Sequence, residues 1–290
     1  FVNVNGGDQL LAEVGLPRLG KWNELRTVID QHAVEEAIIA VDSGEHAHIS
    51  KIMNELDGTH IRIKVIPDMY DILSGSVKMT SIFGAPLIEV NPEIMPAWQF
   101  SLKRSIDIAA SAIAMVVLSP VYLIIGITVW STSRGPMFFS QERIGKYGRP
   151  FKIIKFRSMI SNAEENGPQL SSVTDPRITP FGRWMRKTRM DELPQFWNVL
   201  KGDMSLVGPR PERQHFIDAI TEQAPHYKHL HKVRPGITSW GQVKFGYAEN
   251  VDQMVRRLKY DILYIENMSL AVDLKIIAYT VPIVLKGDRK

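Results

Sequence analysis

The sequence predicts a small α/β domain followed by a mostly helical α+β domain that carries a broken apolar helix pair. Three observations lead there. Helix-like and strand-like segments alternate over residues 1–93. Residues 108–130 contain no charged side chain, yet Ser119-Pro120 interrupts them midway. After Arg134, short strand and helix patterns mix in a basic stretch broken by glycine and proline. At 290 residues, 44% hydrophobic and 23% charged, the chain suffices for two cores and is not generally disordered. It has no cysteine, which excludes disulfides, thiolate catalysis and Cys-ligated zinc.

In the first domain, residues 23–32 read as a helix and residues 37–41 as an apolar strand. A second helix over 45–56 runs towards Gly58, and a strand with alternating apolar residues covers 61–66. Asp68 is placed to cap a short helix reaching Leu73. The pattern is that of a truncated Rossmann-like unit. It lacks Gly-x-Gly-x-x-Gly, and Gly6-Gly7 has the wrong spacing, so a structural or regulatory role is favoured over dinucleotide binding. Residues 91–96, with two prolines, form a linker.

The apolar stretch is long enough to cross a bilayer, which takes roughly 20 residues, but its proline leaves each half too short to do so alone. Lys103 and Arg104 precede it; Arg134, Arg143, Lys146, Arg149, Lys152, Lys155 and Arg157 follow. Two basic flanks give no preferred direction of crossing. A re-entrant hairpin over residues 100–134, entering, breaking at Ser119-Pro120 and returning to the same face, satisfies both. A kinked single span and a buried soluble helix are the alternatives. Arg143, Lys146 and Arg149 are read as lipid-headgroup contacts.

The third part, residues 135–290, carries the candidate chemistry. A strand is predicted over 151–156, a loop over 162–179, and helices over 180–189 and 192–201, the second stopped by Gly202. Asp191 and Glu192 then begin a helix, with Arg186, Lys187 and Arg189 beside them. Acidic residues there also serve merely to offset the helix dipole. Their chemical reading is that free N–H groups of the helix start attract phosphate, Glu192 holds a divalent cation, and Asp191 attacks phosphorus. Lys155 and Arg157 share one strand face and supply a second cationic edge. Arg210, held between Pro209 and Pro211, is a stiffly mounted phosphate fork.

Other features have plainer readings. His226, His229 and His231 are a solvated cluster beside Lys228 and Lys232 rather than a metal site. Trp240, Phe245 and Tyr247 are core residues. Val251, Met254, Leu258 and Ile262 give a helix its apolar side, with Arg256, Arg257 and Lys259 on the polar side. Residues 270–285 are apolar but carry Asp273, Lys275 and Pro282, which suits a helix on the bilayer surface or against the catalytic domain. No nucleic-acid recognition motif occurs.

Four motifs in order, Lys155-Phe156-Arg157-Ser158-Met159, Asp191-Glu192-Leu193-Pro194-Gln195, the run from Gly202 to Pro211, and Arg234-Pro235-Gly236-Ile237-Thr238, resemble the bacterial sugar transferase family, the monotopic polyprenyl-phosphate phosphoglycosyl transferases. The similarity covers roughly residue 100 to the C-terminus. Residues 1–93 resemble the α/β domain of the family's long form, in which a membrane bundle comes first, so the chain reads as a fragment of a longer protein. The resemblance implies transfer of a hexose-1-phosphate from a UDP-sugar to undecaprenyl phosphate with release of UMP, at the start of exopolysaccharide, capsule or O-antigen synthesis. It implies Mg²⁺, a hairpin broken at Ser119-Pro120, and an active site on the cytoplasmic face of the bacterial inner membrane. It makes Asp191 the nucleophile of a covalent phospho-sugar intermediate and Glu192 a Mg²⁺ ligand. Arg186 and Arg210 bind phosphate, while Lys155 and Arg157 shape the site. A second copy of the chain is a candidate partner. Arg189-Met190 and Ser239 stand where the family usually has Ser-Leu and Gly, differences that bear on substrate preference.

Two rivals stand against this. A nucleotide-sugar dehydratase would need the missing glycine fingerprint and a Tyr-x-x-x-Lys that does not occur. A non-catalytic membrane scaffold that regulates glycan assembly would have no use for the Asp191-Glu192 pair.

Overall fold

A computed structural model describes residues 1–3, 15–40, 46–56, 59, 61–66, 88–90, 94–133, 135–161, 163, 167, 175–246 and 248–286. The chain divides into two units, Phe1–Glu93 and Ile94–Lys290.

In the first unit, β1 (Val2–Asn3) pairs in parallel with β2 (Gly20–Lys21). The helix α1 (Leu25–His32) leads into β3 (Glu36–Ile39), and α2 (His46–Leu56) crosses over to β4 (Arg62–Val65), parallel to β3. The antiparallel strand β5 (Ile88–Val90) completes a sheet of order β3-β4-β5. Period-two alternation explains the core: Ile63 and Val65 join Ile39, Ile52, Leu56 and Ile61 against Leu25 and Ile29. Gly6-Gly7, residue 41 and the helix expected after Asp68 lie outside the described residues.

The second unit begins with α3 (Ala97–Val117) and α4 (Ser119–Thr132), bent by 62° at Leu118. Pro120 falls in the first turn of α4, where a missing N–H costs nothing, so the break sits where the chain tolerates it. The Ser119 hydroxyl donates to the Val116 carbonyl (2.8 Å), satisfying a C-terminal acceptor of α3. Among the described residues no single helix is long and apolar enough to cross a membrane; only the bent pair together has that length and composition.

The outer helix α3 is inside out. Its buried stripe, at i, i+4 and i+8, is polar: Lys103, Asp107 and Ser111. Its outer surface is apolar, with Ile113 63% and Val116 74% exposed, and α4 continues it through Leu123, Ile124 and Trp130. The polar stripe is anchored elsewhere in the unit. Lys103 Nζ donates to Asp273 (2.5 Å) and to the Val207 carbonyl (3.0 Å), and Asp107 accepts from Ser205 Oγ (2.7 Å) and Leu206 N (3.2 Å).

Next comes an antiparallel ribbon of β6 (Phe138–Ile144) and β7 (Pro150–Phe156), in register from Phe138 opposite Phe156 to Ile144 opposite Pro150. Then follow α5 (Pro180–Thr188), a 3₁₀ turn (Met190–Glu192) and α6 (Gln195–Lys201). Strand β8 (Ser205–Val207) lies parallel to β9 (Gly236–Thr238), which joins two motifs that are distant in sequence. A Cβ on Gly236 would meet Gly208 N at 2.1 Å, so only glycine allows these backbones to approach. Helices α7 (Gln214–Gln223), α8 (Trp240–Lys244), α9 (Val251–Glu266) and α10 (Leu270–Lys286) complete the unit. Their apolar sides meet in a core of Phe216, Ile220, Met254, Leu258, Tyr264 and Ile276.

Two sequence expectations change here. Residues 192–201 are not one helix, because Asp191 and Glu192 lie in the 3₁₀ turn and α6 starts only after Pro194. Arg257, expected on the polar side of α9, is 5% exposed and points inward.

Candidate functional site

The carboxylate pair is set by a chain reversal. Thr179 caps α5 by accepting from Gly182 N (3.0 Å), and Arg189 ends the helix in the left-handed region (φ 56°). Gly182 is obligatory, since a Cβ there would meet the Ser158 carbonyl oxygen at 2.0 Å. The tight Met190–Glu192 turn then buries both Asp191 and Glu192. The turn spends its own N–H groups: Glu192 N donates to Arg189 O, Leu193 N to Met190 O, Phe196 N to Leu193 O and Trp197 N to Pro194 O. These four N–H groups are therefore already paired, and side-chain cations gather beside the turn.

Those cations converge on Glu192. Lys155 Nζ donates to its Oε1 at 2.9 Å, both Nη atoms of Arg210 lie 3.3 Å from the same oxygen, and Arg189 Nη1 is 3.5 Å from Oε2. Burial pushes the Glu192 carboxyl upward, but Lys155, Arg210 and Arg189 outweigh it and hold the group well below the usual carboxylate range. Burial likewise draws the Lys155 ammonium below its ordinary value, reinforced by Arg210 and opposed by Glu192.

Asp191 and Glu192 open into a cavity of about 270 Å³. All six sequence-predicted residues line it: Asp191, Glu192, Lys155, Arg157, Arg186 and Arg210. Arg186 Nε donates to Ser158 Oγ (2.9 Å). Arg157 Nη2 donates to Ser133 O (2.7 Å) and Oγ (2.8 Å), which ties the ribbon to the end of α4. Ser119 and Pro120 lie apart from this wall, at the hairpin break.

Sequence reasoning missed part of the lining. Arg143, read as a headgroup contact, instead donates to Glu212 Oε2 (3.0 Å) and to Gln141 Oε1 (2.8 Å). Buried Arg257 donates to Glu212 Oε1 (2.8 Å). Burial raises the Glu212 carboxyl, yet Arg257 and Arg143 bring it below the ordinary value. The available signals were Glu212 directly after Pro-Arg-Pro, and Gln141 alternating with Arg143 on one strand face. Ser239 is outside the lining; its hydroxyl caps α8 by accepting from Gln242 N (3.0 Å).

In all, eight arginines and lysines line the cavity against three carboxylates, a strong anion preference. Among the described residues no group of three His, Cys, Asp or Glu side chains is placed to hold a metal. The adjacent carboxylates still suit a hard divalent cation such as Mg²⁺, which takes one or two protein oxygens and completes its shell with water and substrate phosphate. The bent helix pair reaches the site directly, because Tyr122 Oη on α4 donates to the Leu193 carbonyl (2.6 Å), next to Glu192.

Several known proteins are similar to this chain in sequence. It is 42% identical over 228 residues to an Aeromonas hydrophila UDP-N-acetylgalactosamine-undecaprenyl-phosphate N-acetylgalactosaminephosphotransferase, covering 79% of this chain and 53% of that protein. It is 36% identical over 272 residues to a Xanthomonas campestris pv. campestris UDP-glucose:undecaprenyl-phosphate glucose-1-phosphate transferase, covering 92% and 56%. A Caulobacter vibrioides protein of the latter name is 40% identical over 190 residues, covering 64% and 70%. The chain thus spans about half the length of the first two. A family model described as bacterial sugar transferase matches residues 98–287, which include every cavity-lining residue. The chain belongs to the bacterial sugar transferase family.

Proposed function

We propose that the protein of which this chain is part transfers a hexose-1-phosphate from a UDP-sugar to undecaprenyl phosphate and releases UMP. The observation that carries this reading is the buried Asp191-Glu192 pair facing a cavity with five more cationic than acidic side chains. The names of its relatives supply the donor and acceptor classes.

In the first step a carboxylate oxygen of Asp191 forms a bond to the sugar-bearing phosphorus. The bond from that phosphorus to the oxygen bridging it to UMP breaks, and UMP leaves with the electron pair. In the second, an oxygen of the lipid phosphate bonds to the same phosphorus and the Asp191 carboxylate is restored. Lys155, Arg186 and Arg210 hold phosphate oxygens and offset their charge. Glu192, with Asp191 beside it, would hold Mg²⁺, which neutralises diphosphate charge when bound. Residues 100–134 lie in the cytoplasmic leaflet of the inner membrane as a re-entrant hairpin. The apolar outer surface of α3 and α4 supports this, since burying each exposed Ile, Leu or Val is worth about 1.5–3 kcal/mol. The product begins a cell-surface glycan.

The test is UMP release from a panel of UDP-hexoses with undecaprenyl phosphate and Mg²⁺, and trapping of labelled sugar phosphate on the protein without acceptor. Asp191→Asn is expected to lose the adduct and at least roughly 10³-fold of turnover. An adduct that survives this substitution overturns the assignment of Asp191.

A further inference from the structure

The cavity runs along the β6–β7 ribbon, and its two ends differ in their side chains. Phe139 stands opposite Lys155, the ligand of Glu192, so this register marks the carboxylate pair. Towards the end of α4 the wall sets Phe138 and Ile160 beside Arg157, Ser158 and Arg186, so apolar surface and phosphate-binding cations lie together there. In the other direction Gln141 and Arg143 follow on the same strand face, about 7 and 13 Å further along at ~3.3 Å per residue. There Gln141, Arg143 and Glu212 form one hydrogen-bonded network, and Phe216 and Met254 provide an apolar wall beside it.

The double displacement decides which substrate part takes which end. Each in-line attack on phosphorus enters opposite the group that leaves. UMP departs opposite Asp191, and the lipid phosphate must attack opposite Asp191 as well. The two therefore occupy one locus in turn. That locus belongs at the α4 end, where Arg157 and Arg186 suit the phosphate that UMP and the lipid share, and Phe138 and Ile160 suit the start of a polyprenyl chain. The sugar, which stays on phosphorus through both steps, is left with the end formed by Gln141, Arg143 and Glu212.

We infer that Gln141, Arg143 and Glu212 form the hexose subsite, and that Gln141 is a specificity residue reading the sugar hydroxyls. An amide and a carboxylate are the groups that hydrogen-bond a polyol, and the Phe216 and Met254 side suits the C–H face of a pyranose or an N-acetyl methyl. Gln141 is half-buried and nearest the Lys155 register, whereas Glu212 also joins Arg143 to Arg257, so its substitution would disturb two arginines at once. The inference rests on the two-step reading above.

The test uses the full chain in detergent or vesicles, the UDP-hexose that it turns over best, and that donor's C4 epimer. Gln141→Ala is expected to raise KM for the donor about 5- to 10-fold, the loss of one or two hydrogen bonds. It should also change the kcat/KM ratio between the epimers, while inhibition by UMP and KM for undecaprenyl phosphate stay within about twofold. Parallel weakening of UMP inhibition with an unchanged epimer ratio would put the nucleoside at this end and overturn the assignment. No change in any constant would do the same. Gln141→Asn is measured alongside and read by the same criteria should the alanine variant misfold. If the unaltered chain releases no UMP from any UDP-hexose, the failure lies in the two-step reading instead.

Discussion

At the scale of single residues the site is an electrostatic balance around Glu192. Three cations share one carboxylate, leaving Lys155 desolvated and its ammonium below the ordinary lysine value of 10.5. The sign follows directly: a lysine with a lowered value loses its proton, and its hold on phosphate, at lower pH than a free one. The alkaline limb of kcat/KM for UMP release is therefore expected below pH 10.5, and Lys155→Met should remove that limb while lowering activity about 10- to 100-fold. An unchanged limb in Lys155→Met would assign it to another group. The six predicted site residues were legible because their residue types and motif spacing carry the chemistry. Glu212, Arg143 and Arg257 were not, since their network exists only once the β6 strand, the Pro-Arg-Pro turn and the α9 helix have been brought together.

At the scale of elements, short-range rules read most segments well. The strand expected at 151–156 is Pro150–Phe156, and the helix expected at 180–189 is Pro180–Thr188 with Arg189 as its left-handed cap. They failed at residues 190–194, where a tertiary demand overrides helix continuity: the carboxylates must be turned into a cavity, and the 3₁₀ turn does this. The inverted helix α3 was likewise hidden, because Lys103 reads in sequence as a flanking charge rather than a buried anchor. Among the described residues, Lys103→Ala leaves buried Asp273 with only Tyr264 as a side-chain hydrogen-bond donor, and should destabilise the second unit by about 3 kcal/mol in urea unfolding. Lys103→Met combined with Asp273→Leu should recover most of that loss. A double variant as unstable as Lys103→Ala would show that the pair does more than satisfy itself.

At the scale of the molecule, the proposed re-entrant topology has a direct test, made simple by the absence of cysteine. Single cysteines at Ser101 and Arg149, before and after the hairpin, are expected to react with an impermeant reagent from the same side of sealed vesicles. Labelling from opposite sides would establish a single crossing. The alternation of elements in the first unit and the broken apolar segment in the second were both visible along the chain. The link between the bent helix pair and the Met190–Glu192 turn was not, because it depends on a phenol meeting a carbonyl 71 residues away.

That phenol sets a height. Tyr122 fastens the turn bearing Asp191 to the returning arm of the hairpin, and Arg157 fastens the neighbouring ribbon to the end of that arm. The proposed nucleophile is thus carried at a fixed altitude relative to the α4 helix, as a stylus is carried by its arm. A lipid phosphate is also confined to one plane, that of the headgroups. With both partners levelled, the proposed transfer becomes a search in two dimensions, and depth no longer has to be found.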